Sequence, residues 1–218
     1  MDRLMQQVDG YCERIGPDFW AEPLNAVTNL AFLLAAYALR RHLATVETIS
    51  GTRDPQSSVL IVILWAIGLG SLAFHTFATI WAGIADTLPI IILILTYVYL
   101  ALRRFFNLPI FAALLGPLAL IGLAVLFGRA GFAGGAYLPA LIGMLVLSVA
   151  AAVRGQNEVS YGLAVSSLVF GVSLGLRTLD EPMCTQIIIG THWAWHVLNA
   201  LTLYLVIKLH IDHRVRAG

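Results

Sequence analysis

The chain has 218 residues, of which 59% are hydrophobic and only 11% charged, and its net charge is +1 at neutral pH. A water-soluble domain of this length needs far more charge to cover its surface, so the composition excludes one and fits a polytopic membrane protein. The near-zero net charge argues against a nucleic-acid partner.

Residues 1–23 form an acidic tail, MDRLMQQVDGYCERIGPDFWAEP, with five acids, two arginines and no apolar core of the kind a secretory leader needs. The tail is therefore expected to remain part of the mature protein. From Leu24 onward, apolar stretches alternate with short polar breaks, and a helix needs about 20 apolar residues to cross the hydrocarbon. Seven spans are predicted, over residues 24–39, 59–79, 84–102, 109–127, 136–153, 161–177 and 187–208. The breaks are too short to be domains, so residues 1–218 are expected to form one all-α bundle of seven transmembrane helices. Glycine-rich runs such as GLGSL (68–72) and GVSLGLR (171–177) predict close helix packing.

Basic residues set the expected orientation, because Lys and Arg accumulate in cytoplasmic loops. With the N-terminus outside and the C-terminus inside, nine basic residues fall on the cytoplasmic side: Arg40, Arg41, Arg53, Arg103, Arg104, Arg154, Lys208, Arg214 and Arg216. Arg3, Arg14, Arg129 and Arg177 make four on the outer side. The expected location is a bacterial inner membrane, with the acidic tail facing the periplasm.

Six histidines separate into two sets on this topology. His42, His210 and His213 fall in cytoplasmic segments and are expected to be solvated. His75 falls near the outer end of the second span, and His192 and His196, in GTHWAWH, near the outer end of the seventh. The basic residues alone bring all three to one depth. His192 and His196 are four residues apart, so on a helix they share a face, and His75 offers a third nitrogen from a facing helix. Three imidazoles with one open position make a typical catalytic zinc shell, and ionisable groups at membrane depth are costly enough to mark function.

Asp86 follows His75 by eleven residues and is the one acid between Asp54 and Glu158. Alone it reads as a helix N-terminal cap; beside a zinc site it is a candidate general base and acid. Ser71, one turn before His75, is a candidate oxyanion donor, although a serine in a membrane helix more often bonds back to the backbone. Cys12 and Cys184 both fall on the outer side and predict one disulfide, with two free thiols as the alternative.

Ser71, His75 and Asp86 in GSLAFHTFATIWAGIADTLP, HWAWH in the last span, and YCER with AEPLNAVTNLAF at the start resemble the alkaline ceramidase family. That family belongs to a wider group of seven-span membrane hydrolases that includes the adiponectin receptors. The resemblance implies that His75, His192 and His196 bind zinc, that Asp86 handles protons and that Ser71 assists. It also implies a calcium site in the tail, with Glu13 and Glu22 at its acidic positions and Tyr11 giving a backbone carbonyl; Asp9 and Asn25 could supply further oxygens, and a solvated acidic tail is the alternative. Gly10 and Ile15 stand where that pattern has polar ligands.

The activity expected is hydrolysis of a lipid amide, ceramide and water giving a long-chain base and a fatty acid, with lipid substrate and bilayer as partners and no protein partner. Two readings compete with it: hydrolysis of another N-acyl or an ester lipid, and a receptor in which zinc only staples helices. Transport is the weakest alternative, because spans four to six contain neither acid nor histidine within them.

Overall fold

The computed structural model describes residues 2–8, 10–132 and 134–217. The fold is all-α, and among the described residues eight α-helices follow one another: α1 (Pro23–Thr28), α2 (Leu30–Ser50), α3 (Pro55–Phe77), α4 (Ile80–Phe106), α5 (Ile110–Arg129), α6 (Leu138–Val153), α7 (Asn157–Leu179) and α8 (His192–Ala217). Six of them, α3 to α8, are long and apolar enough to cross a bilayer, α6 together with the tight turn that precedes it from Gly135. Helix α2 has the length at 21 residues, but Arg40, Arg41 and Glu47 in its second half keep it outside that set.

The first expected span, 24–39, differs most from the structure. Its start is the separate short helix α1, and α2 runs through the arginine pair as far as Ser50, where Gly51 ends it in the left-handed conformation with φ +66°. Arg40 and Arg41 face outward while Leu39 and Leu43 stay fully buried, and His42, expected to be solvated, is half-buried with its Nε2 2.6 Å from Asp212 of α8. The last expected span, 187–208, begins later and ends later, at His192–Ala217.

Helix α8 is the hub, packed against α2, α3, α4 and α7, while α3 lies along α4 and α5 sits on the outside of α4. The shared core holds Phe32 and Leu39 of α2, Leu60 and Leu64 of α3, Phe105 of α4, and Ile207 and Ile211 of α8. Phe111, Leu115 and Leu118 of α5 are exposed. In water that surface would be an unusually large apolar patch; against lipid tails it is an ordinary one.

Two glycines set the α2–α3–α4 seam. A side chain at Gly68 would strike Leu33, and one at Gly70 would run into the backbone carbonyl of Ala85. Pro89 has no N–H to offer that carbonyl from within α4, so it is free to face the bare Cα of Gly70. This close approach holds the turn of α4 that carries Asp86 against the turn of α3 that carries Ser71.

The opposite end of the bundle holds a second polar cluster, and it overturns one expectation. His210 is fully buried rather than solvated, with Nδ1 3.1 Å from Ser57 Oγ and 2.9 Å from Arg104, because α8 continues beyond residue 208 into the packed core. Asp54 caps α3, accepting from the Ser57 N–H at 3.2 Å and the Ser57 hydroxyl at 2.7 Å. Arg104 grips both of its carboxylate oxygens, at 2.9 and 2.8 Å. Burial pushes the Asp54 carboxyl up, but Arg104 and Ser57 outweigh it and hold the group well below the usual carboxylate range.

Candidate metal and catalytic site

His75 lies in the last turn of α3, one turn beyond Ser71, while His192 opens α8 and His196 follows one turn later. The orphan N–H groups at the start of α8 are met by a residue that the sequence reading did not single out. Asp180, in the preceding loop, accepts from the Thr191 N–H at 2.5 Å and the His192 N–H at 2.8 Å. Its other oxygen accepts from the Cys12 N–H at 3.1 Å. Gly190, at φ +63°, brings the backbone so close that a side chain there would collide with the Asp180 carboxylate.

The structure brings His75, His192 and His196 together: all three are buried, and one ring nitrogen of each lies within 4.8 Å of the other two. His75 Nε2, His192 Nδ1 and His196 Nε2 have no hydrogen-bond partner. Three buried rings brought this close, each with an unpartnered nitrogen, are costly unless something accepts a lone pair from them, and the donor set suits a metal ion of the zinc type.

The outer nitrogens are already oriented. His75 Nδ1 lies 2.6 Å from Glu22 Oε2. An ionised carboxylate only accepts, so Nδ1 carries a proton, and in the neutral ring Nε2 is then the nitrogen with the free lone pair. His196 Nδ1 lies 3.0 Å from Thr28 Oγ1, whose own hydrogen goes to the Leu24 carbonyl at 2.8 Å, so the same tautomer follows. Such partners raise ligand basicity and fix ring orientation.

Glu22 is 2% exposed and also accepts from Arg14 Nε at 2.5 Å and Asn25 Nδ2 at 3.0 Å. Burial pushes its carboxyl up, and the hydrogen bonds from His75, Asn25 and Arg14 more than offset that, leaving it below its ordinary value. Arg14 is itself 7% exposed and donates to the carbonyls of Gly16 and His75 at 2.9 and 3.3 Å.

Several of the residues expected to hold calcium have other side-chain partners. Glu22 faces His75. Glu13 accepts from the Leu24 and Asn25 N–H groups at 2.7 and 2.8 Å, capping α1. The Tyr11 ring stacks on His192 at 3.7 Å between centroids, and burial pushes its phenol up, which keeps it neutral. Asp9 lies outside the described residues. Among the described residues, the three histidines are the one cluster of three or more His, Cys, Asp or Glu side chains close enough together to hold a metal.

Asp86 and Ser71 line the same cavity as His192 and His196, about 170 Å³ in volume, and Asp86 Oδ1 is buried without a partner. Ile67, Ile90, Tyr137 and Trp195 border both this cavity and a narrow apolar cleft that continues past Leu93, Met144 and Phe170. Cys12 and Cys184 are joined in a disulfide, with Cα atoms 5.0 Å apart. The tail is tied a second time by a bridge between Gln7 and Thr79, in which Val8 N–H donates to the Ala78 carbonyl at 2.7 Å. The Glu22–His75 contact, the Asp180 cap and the Tyr11 lid were not foreseen; each depends on how the tail and the α7–α8 loop dock.

Compared with known proteins, residues 10–216 match the family model described as Ceramidase. No curated protein matches the chain.

Proposed function

Because the chain belongs to the ceramidase family, we propose that it is a zinc-dependent hydrolase of lipid amides that cleaves ceramide to a long-chain base and a fatty acid. Family membership implies a hydrolase of an amide bond and a lipid substrate. The observation that carries the finer reading is the set of three unpartnered ring nitrogens beside the unpartnered Asp86 Oδ1.

When held by His75, His192 and His196, zinc supplies Lewis-acid polarisation of the amide carbonyl and acidifies water to a pKa of about 7. Asp86 takes the proton of the attacking water as the new C–O bond forms. It later gives that proton to the amide nitrogen as the C–N bond breaks, so one carboxylate serves as base and then acid. The Ser71 hydroxyl donates to the developing oxyanion. Glu22 and Thr28 hold the proton on Nδ1 of His75 and His196 throughout. Tyr11 covers His192 and excludes water from that face. The apolar cleft takes an alkyl chain. The bias of basic residues supports a site on the outer side of the membrane, facing the periplasm of a bacterial inner membrane.

The test is fatty-acid release by purified protein from ceramides and other N-acyl and ester lipids, measured beside zinc content. Wild type should release fatty acid. Asp86→Asn should keep zinc and lose release, and His192→Ala should lose both. A wild type that holds zinc and hydrolyses none of the panel would overturn the proposal in favour of a structural metal.

A further inference from the structure

Arg177, in the last turn of α7, has its guanidinium carbon 5.0 Å from the Tyr137 ring centroid and 5.7 Å from that of Trp195. It borders the cavity of Ser71, Asp86, His192 and His196. It also borders an outer groove of about 530 Å³ shared with Tyr11, Tyr137 and Glu181, and so stands where the two meet.

Among the described residues, the other arginines that are not exposed, Arg14, Arg103, Arg104 and Arg214, all donate to a carbonyl or carboxylate. Arg177 donates to none. The neighbouring Asp180 carboxylate is committed to Cys12, Thr191 and His192, and Glu181 lines the groove without pairing with it. Aromatic rings attract the face of a guanidinium and leave its in-plane N–H fork unsatisfied. A fork held by rings at the junction of a groove and a reactive pocket is matched by two coplanar oxygens bearing negative charge.

We infer that Arg177 is an anion-binding residue that receives a carboxylate or phosphate carried by a lipid at the mouth of the pocket. The inference deepens the hydrolase reading and rests on it for the position of the acyl chain. Two sources share this chemistry: an anionic headgroup on an N-acyl substrate, and the carboxylate of the released fatty acid. A neutral headgroup would leave the fork to water.

The test measures binding of four oleoyl lipids by full-length protein carrying Asp86→Asn, so that turnover does not intervene. N-oleoylglycine is compared with its neutral amide, N-oleoylglycinamide, and oleate with oleamide. With Arg177 intact, at least one acid should bind about tenfold or more tightly than its amide, as expected for a charge-assisted pair. Arg177→Met should bring that ratio close to one, and Arg177→Lys, which keeps charge but not the fork, should give an intermediate ratio. Preference in the glycine pair assigns Arg177 to the headgroup, and preference in the oleate pair alone assigns it to the product. Equal affinities within both pairs for the protein with Arg177, or a ratio unchanged in Arg177→Met, would overturn the inference. Should Arg177→Met not fold, the ratios with Arg and Lys at 177 still decide. Failure of the hydrolase reading would show separately, as absence of oleate release by protein with Asp86 intact.

Discussion

Glu22 Oε2 stands 2.6 Å from His75 Nδ1, across 53 residues of sequence, so a carboxylate of the tail holds one nitrogen of a membrane-helix histidine and leaves the other without a partner. Glu22→Gln keeps the size and loses the charge, and should weaken zinc binding by about 10- to 100-fold, as is usual for the partner of a ligating histidine. Competition with a zinc chelator measures this directly. An unchanged affinity would mean that His75 does not depend on Glu22 for its tautomer.

Arg14 fills the place a cation would take between Glu22 and the carbonyls of Gly16 and His75. Fatty-acid release should therefore survive a calcium-selective chelator and fail with a zinc-selective one. Arg14→Gln leaves a buried carboxylate without its counter-charge and should cost about 3–5 kcal/mol of stability. Thermal denaturation in detergent, with and without added calcium, checks both parts. Rescue of the variant by calcium would show that the ion can replace the guanidinium.

Gly70→Ala would place a methyl group against the Ala85 carbonyl. The seam between α3 and α4 must then open, at a cost of about 1–3 kcal/mol, and Asp86 moves away from the histidines. The expected result is a large fall in kcat with zinc content retained, since none of the three clustered histidines lies on α4. Normal turnover would show that the position of Asp86 is not set by this contact.

Asp54 supports a pH prediction. Its folded pKa is depressed by Arg104 and Ser57 against the opposing effect of burial, so the stability it contributes is fully present above its unfolded pKa of about 4. That contribution is lost as pH falls from there toward the folded value. Asp54→Asn should destabilise the protein at pH 7 by about 3 kcal/mol, through the unpaired Arg104, and the difference from wild type should shrink below pH 4. Parallel melting curves would instead show that Asp54 is not charged in the fold.

The helical bundle and the three histidines were legible in the sequence because both depend on local regularity. Apolar runs of spanning length predict helices, and a spacing of four puts His192 beside His196. Asp86 stood out as the one acid in a long apolar region. What the sequence did not disclose depends on docking between distant segments. Glu13 and Glu22 read as exposed acids available to an ion, whereas burial of the tail converts one into a cap and the other into a partner for His75. Asp180 lacked a motif, because it caps α8 from a loop rather than from the adjoining position. His210 looked like a solvated tail residue because the end of α8 was expected too early. Arg177 counted only as an outer basic residue until Tyr137 and Trp195 were seen around it.

Tyr11 lies between two attachments of the tail, the Gln7–Thr79 bridge before it in sequence and the Cys12–Cys184 disulfide after it. A cover fastened at both ends does not swing as a flap. For the proposed hydrolase, admission past Tyr11 would part the tail from one of these attachments, whereas the flank bordered by Tyr137 and Arg177 carries neither.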